Sequence, residues 1–218
     1  MSNIKITEER LAELREKAVK DMSDKRRIHT LAVEDMAVRL GVIYAPDKIN
    51  ELRAAALLHD FTKELKTEDQ LKLCEKYGIS VSDDDKFAPK TFHAKTAAAV
   101  ISDKLSEFAS DDVVSSVRWH TTGRKGMSIC EKIIYLADYI DDSRKFADCV
   151  KLREYFWGKD ISAMNKSERD SHLRDTLIMS YDMTIKNLLD ENSPVAKDTF
   201  DARNELVCER LKANILKG

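Results

Sequence analysis

The chain is 218 residues long, enough for one domain with an extension or for two small ones. Its 37 Lys and Arg stand against 39 Asp and Glu, a formal charge of -2, which argues against a DNA or RNA duplex binder that would need a basic surplus. No apolar run approaches the roughly 20 residues of a bilayer span, and Met1 to Lys17 has no apolar leader core, so a cytoplasmic protein is expected.

Six glycines and three prolines are far fewer than the roughly 12% of residues usual for the two together. Sheet-rich domains need such residues at frequent turns, so the expected fold class is all-α. Thr7, followed by Glu8 and Glu9, opens the first helix. Arg27 to Leu40 places Ile28, Leu31, Ala32, Met36 and Leu40 at helical spacing, with Gly41 read as the C-terminal cap. After Pro46-Asp47, Ile49 to Phe61 is helical and apolar almost all round at Ala54 to Leu58, the pattern of a buried helix. Thr67 and Gln70 read as a capping box for a helix ending at Gly78.

Val81 to Lys90 is polar, contains Pro89 and reads as a loop, in which adjacent Asp83, Asp84 and Asp85 cannot converge on one ion. Helices follow over His93 to Phe108 and Ser110 to Thr122, the second closed by Gly123. Ser128 and Glu131 form a capping box for a helix through Ile140. Beyond Gly158 a polar stretch leads to helices over Leu173 to Leu189 and Asp198 to Leu216, split by Asn192-Ser193-Pro194. The expected organisation is one domain over 1-218, with a core over about 22-156 and C-terminal helices over about 160-218 packed on it. Cys74, Cys130, Cys149 and Cys208 are scattered without a C-x-x-C pair and read as free thiols.

Polar residues in apolar surroundings mark the chemistry. His59-Asp60 directly follows the run Ala54 to Leu58, and Asp138 interrupts Ile133-Ile134-Tyr135-Leu136-Ala137. Such groups cost about 1–3 kcal/mol each when unsatisfied, and a buried carboxylate stays ionised only beside a cation. A metal ion supplies that cation, and imidazole with carboxylate suits Fe, Mn, Zn or Co better than Mg or Ca. A network in which Asp60 pairs with Arg or Lys, and Asp138 with a tyrosine hydroxyl, is the alternative.

The ordered set His29, His59-Asp60, His93, His120, Asp138 resembles the pattern of HD-domain metal-dependent phosphohydrolases. Flanks narrow the likeness. Arg26-Arg27-Ile28-His29-Thr30, Ala54 through Lys63, His120-Thr121-Thr122-Gly123 and Met127 through Ile140, then Arg144, are similar to motifs of the bacterial YqeK branch. The likeness spans roughly His29 to Arg153, and Thr199 to Asn204 is similar to the branch's T-x-x-A-R-N element. The chain departs from the branch's usual pattern at His93-Ala94-Lys95-Thr96, which lacks a glycine, and at Asp141-Asp142, where Glu-Pro is usual. Trp157 to Arg169 is also long and polar.

The resemblance implies an HD-domain helical bundle with additional C-terminal helices. It implies a symmetrical bis(5'-nucleosyl)-tetraphosphatase that splits diadenosine tetraphosphate into two ADP. His29, His59, Asp60 and Asp138 would hold one divalent transition metal, iron first, with Mn, Co or Zn as alternatives. Asp60 would bridge to a second ion on His93 and His120, or these two would face the phosphates if one ion binds. Asp60 and Lys63 are the implied catalytic residues. Arg26, Lys63, His93, His120, Thr122, Gly123 and Arg144 are the implied substrate contacts. His172 matches no motif and reads as a surface residue. The expected partners are the nucleotide and its ADP product, without DNA, RNA or membrane, and a homodimer is allowed. Alternatives are a hydrolase of another nucleotide, such as a guanosine alarmone or a deoxynucleotide, and a mixed-valent di-iron oxygenase on the same scaffold.

Overall fold

The structure is a computed structural model and describes residues 5–215. Eleven α-helices and four short 3-10 turns run along these residues, with no strand among them. Helices α1 (Glu8–Val19), α2 (Asp24–Tyr44) and α3 (Ile49–Leu58) come first, followed by α4 (Thr67–Lys76) and the short α5 (Asp83–Phe87). Helices α6 (Phe92–Lys104), α7 (Asp111–Trp119) and α8 (Ile129–Ile140) complete the site-bearing part. Helices α9 (Ala147–Trp157), α10 (Lys166–Asp190) and α11 (Lys197–Ile215) close the described chain. Residues 1–4 and Leu216, which fell within the expected N-terminal and last-helix segments, lie outside the described residues.

Helix α3 sits at the centre because its second half, Ala54 through Leu58, has no polar face. Leu52 and Ala54 through Leu58 are all buried, and α3 packs against α2, α7, α8 and α1. Truncating one of its leucines to alanine is expected to cost about 2–5 kcal/mol through lost transfer energy and the cavity left behind. Helix α8 starts at the Ser128–Glu131 capping box, with both reciprocal hydrogen bonds present, and buries Ile133 through Ala137. Helix α10 contacts α8, α9 and α11, which brings the C-terminal helices against the same core.

Several elements differ from the sequence expectation. Gly41 does not cap α2, which continues to Tyr44. A Cβ at Gly41 would come within 2.7 Å of Leu52 Cδ1 and 2.8 Å of Ile49 Cδ1, so its missing side chain serves the close approach of α2 and α3. The Val81 to Lys90 stretch is not all loop, because Ser82 and Asp85 form a capping box that starts α5. Thr67 and Gln70 form no capping box. Lys66 is the N-cap, and buried Gln70 turns inward to accept a hydrogen bond from Thr96 at 3.1 Å. Helix α3 stops at Leu58, three residues before the expected Phe61, and α6 stops at Lys104 before a 3-10 turn over Ser106–Phe108. Helix α9 lay unnoticed in the sequence, and α10 begins at Lys166 behind an Asn165–Glu168 capping box, not near Leu173.

Histidine 172 is buried, not superficial. Its ring stacks on Phe156 at 5.1 Å, and its Nε2 bonds the Phe156 carbonyl at 2.9 Å, tying α10 to α9. The four cysteines form no disulfide: Cys74, Cys130 and Cys149 are buried and Cys208 is exposed. No helix among the described residues is long and apolar enough to cross a membrane.

Candidate metal centre

Two helix ends aim two histidines. His59 follows the last residue of α3, and its Nδ1–H donates to the Ala56 carbonyl at 2.7 Å. His120 follows the last residue of α7, and its Nδ1–H donates to the Val117 carbonyl at 2.7 Å. In both cases the carbonyl can only accept, so the proton sits on Nδ1 and the Nε2 lone pair points into the protein. A polar residue placed directly after a helix keeps a backbone anchor while its far atom stays free.

Asp60, in the turn after α3, lies between two histidine pairs. Its Oδ2 is 3.3 Å from His59 Nε2 and 3.7 Å from His29 Nε2. Its Oδ1 is 3.0 Å from His93 Nε2 and 3.6 Å from His120 Nε2. Asp138, on α8, places Oδ1 2.9 Å from His29 Nε2 and 3.7 Å from His59 Nε2. All six expected ligand residues therefore come together. His29, His59 and Asp138 each offer a donor atom within 4.8 Å of the other two, as do His59, Asp60 and His120.

Behind His29 stands a residue for which the sequence reading had no role. Asp141 is fully buried, and its Oδ2 lies 3.2 Å from His29 Nδ1. The backbone N–H of Ser143 donates to Asp141 Oδ1 at 2.8 Å, and the Ser143 hydroxyl bonds the same oxygen. Its neighbour Asp142 points outward to Arg39 and Arg153. The only sequence trace of Asp141 was its place in an acidic pair just past α8, and sequence alone does not tell which member turns inward.

Charge distribution fits a cation at the centre. Burial alone would raise the Asp60 pKa, but His59, His120 and His93 hold it well below the usual carboxylate range. Asp138 behaves likewise, with burial opposed by Arg144 and His29. Burial pulls His29 down, yet Asp138 and Asp141 push it up to about 9. Burial takes His93 down to about 4 and lowers His120 as well. With its Nδ1–H given to Asp141, a neutral His29 would set an Nε2 lone pair against a carboxylate oxygen. Among the described residues, buried His29 Nε2 and His59 Nε2 indeed have no hydrogen-bond partner. A metal ion satisfies both atoms and both carboxylates together, and mixed N and O donors suit Fe, Mn, Co or Zn.

The cationic residues ring this cluster. Arg26 pairs with Asp60 Oδ2, and Arg144 Nη2 lies 2.5 Å from Asp138 Oδ1. The tyrosine partner considered for Asp138 is thus replaced by arginine. Lys63 Nζ lies 3.1 Å from His93 Nε2 and 4.0 Å from Asp60 Oδ1, and burial lowers its pKa. A cleft of about 590 Å³ opens beside the cluster, lined among others by Lys63, His120, Thr121 and Asp138. Thr122 and Gly123 are not in that lining, contrary to expectation. The Thr122 carbonyl accepts from Thr199 at 3.1 Å, and Gly123, at φ +63, packs so tightly that a Cβ would lie 1.9 Å from the Tyr181 hydroxyl oxygen. The pair locks the end of α7 to α10 and α11, and Thr121 takes the place beside the cleft.

Comparisons with known proteins agree with this geometry. A family model described as HD domain matches residues 26–142. A symmetrical bis(5'-nucleosyl)-tetraphosphatase of Halalkalibacterium halodurans is 29% identical over 189 residues, covering 87% of this chain and 92% of the relative. One of Bacillus subtilis is 29% identical over 188 residues, covering 85% and 91%. The crystal structure of an HD superfamily hydrolase from Clostridium acetobutylicum, described as involved in NAD metabolism, superposes with a TM-score of 0.78 at 32% identity, covering 91% of this chain and 97% of that one.

Proposed function

The chain belongs to the HD-domain family, and from that premise we propose that it is a metal-dependent hydrolase that cleaves diadenosine tetraphosphate symmetrically into two ADP. One observation carries the reading: two carboxylates and two unpartnered imidazole nitrogens converge in a buried cluster ringed by Arg26, Lys63 and Arg144. His29, His59, Asp60 and Asp138 are the residues that would hold the ion, for which iron is our assignment. When bound, such an ion lowers the pKa of a water and polarises a phosphoryl oxygen. In the overall reaction the water oxygen bonds to one inner phosphorus. The central P–O–P bridge breaks on that side, and the leaving ADP keeps the bridging oxygen.

The chain's own residues handle the charge. A tetraphosphate carries about four negative charges, and phosphoryl transfer spreads charge over the equatorial oxygens. Arg26 and Arg144 stand at the rim of the two carboxylates, where an arriving phosphate meets both guanidinium groups. Lys63 faces Asp60 Oδ1 and His93, a position from which it donates to an inner phosphate. His93 and His120 share Asp60 Oδ1 and would take a second ion or, without one, hydrogen-bond the phosphates.

Metal analysis of the purified protein, with ADP release from diadenosine tetraphosphate followed alongside, tests the reading. Bound transition metal and ADP as the sole nucleotide product are expected. AMP with ATP as products, or preferred turnover of a guanosine alarmone or a deoxynucleotide, would overturn it. Oxygen uptake with an organic substrate would point to the oxygenase alternative.

A further inference from the structure

A second cleft, of about 670 Å³, adjoins the cluster through His29 and Arg26. The first cleft reaches the cluster through His120 and Asp138. His29 and Asp138 are 2.9 Å apart, so the two clefts flank the candidate metal centre. Arg144 and Phe146 line both. Each volume falls in the range of roughly 300–1,000 Å³ common for small-molecule sites. Each also brings its own cations, Lys63 and Lys90 in the first, Lys25 and Lys145 in the second.

Phe146 is 70% exposed on the wall between the clefts, and Ile28 is 60% exposed in the second. Half-buried Leu188 gives the first cleft an apolar contact of its own. Apolar surface beside clustered ammonium groups suits a nucleoside with phosphates attached, since the base covers the apolar part and the phosphates meet the cations.

We propose that the two clefts are paired nucleoside subsites, one for each half of a two-nucleoside polyphosphate, with Arg144 and Phe146 as the shared wall. This rests on the proposed symmetrical cleavage. In that reaction the reacting bridge lies two phosphates from each nucleoside, so a centre holding that bridge needs space on both sides. A one-sided site would hold one nucleoside and leave the other in water. The second cleft thus makes the site specific for substrates with a nucleoside at both ends.

The test uses Ile28→Asn in the second cleft and Leu188→Asn in the first. Substrates are diadenosine tetraphosphate and adenosine 5'-tetraphosphate, which has one nucleoside. Each variant is expected to lower kcat/KM for diadenosine tetraphosphate about tenfold, the scale for losing one apolar contact region. At most one of them lowers it for adenosine tetraphosphate, because that substrate fills only one cleft. Calorimetry of the metal-loaded wild-type protein with ADP is expected to show two sites, and one in either variant. Unchanged diadenosine tetraphosphate kinetics in either variant, or equal losses on both substrates in both variants, overturns the paired subsites. Failure of the wild-type protein to release ADP from diadenosine tetraphosphate strikes the proposed function itself and is visible before any variant is made.

Discussion

On one side of Asp60, His29 and His59 share Oδ2 with a second carboxylate, Asp138, and His29 has Asp141 behind it. On the other side, His93 and His120 have Asp60 Oδ1 as their carboxylate partner, and the Lys63 ammonium sits 3.1 Å from His93 Nε2. A divalent cation gains from each added carboxylate and loses beside an ammonium group. Protonation follows the same division: His29 is pushed up to about 9, whereas burial brings His93 down to about 4. The first side is built to hold positive charge, and the second is built of neutral rings beside a donor. On the proposed reading, one carboxylate thus serves an ion-holding face and a face fitted to phosphate or to a weaker second ion.

Removing the residue common to both faces should have the largest effect. Asp60→Ala strips an anionic ligand from each side while making only a small hole, so turnover should fall by at least about 10³-fold, metal content should drop, and the helical circular dichroism should persist. Full activity would return Asp60 to a mere ion pair with Arg26. By contrast, His93→Ala should spare the first ion, and metal counting on it decides between one ion and two.

Arg144 comes next, since it belongs to the ion-holding face through Asp138 yet is proposed to serve substrate. Arg144→Ala should lower kcat/KM roughly tenfold to a thousandfold, about 1.4–4 kcal/mol. A loss confined to KM would mean equal contact in the ground and transition states, and a loss in kcat would mean contact with charge that develops only at the transition state. Arg144→Lys keeps the charge but loses the two-pronged fork and should rescue only in part. Unchanged kinetics would make Arg144 only a partner of Asp138.

Asp141 sharpens the contrast further, because among the described residues no carboxylate lies behind His93 or His120 in the equivalent way. Asp141→Asn should weaken metal binding about 10–100-fold, the usual effect of losing an outer carboxylate behind a ligating histidine. In the metal-free protein, nuclear magnetic resonance titration of His29 should move down from about 9, since one of the groups holding it up is gone. Unaltered metal affinity would leave Asp141 with a purely structural bond to Ser143.

Of the candidate ligand residues, His59, Asp60 and Asp138 were legible in the sequence because each breaks a local rule, a polar group ending or interrupting an apolar helix. His29, His93 and His120 stood out only through the resemblance to the HD-domain pattern. Asp141 was not legible, since its neighbour Asp142 has the same side chain and only the tertiary meeting with His29 separates them. The capping box of α8 was readable from Ser128 and Glu131, and α9 was not, because Cys149, Leu152 and Phe156 are its only buried residues and stand among charged ones. His172 looked superficial for the same reason: its partner is a backbone carbonyl from α9, which the local pattern did not announce. Gly41 shows the reverse error, a residue that ends helices elsewhere used here to let two helices touch.

The smallest expected effect concerns the support outside both faces. Thr199, at the start of α11, is buried and donates its hydroxyl to the Thr122 carbonyl at 3.1 Å. Thr199→Val keeps the shape and leaves that carbonyl without this partner, a cost of about 1–3 kcal/mol. For a chain of this size each 1 kcal/mol corresponds to roughly 2–4 °C in Tm, so calorimetry should register a drop of several degrees. Thr121, not Thr122, lines the cleft, so kcat and KM should both stay within about twofold of wild type once the protein is folded. The opposite pattern, unchanged stability with altered KM, would put the Thr122–Gly123 backbone in the path of the substrate. It would also mean that the end of α7 belongs to the phosphate face and not to the scaffold that carries it.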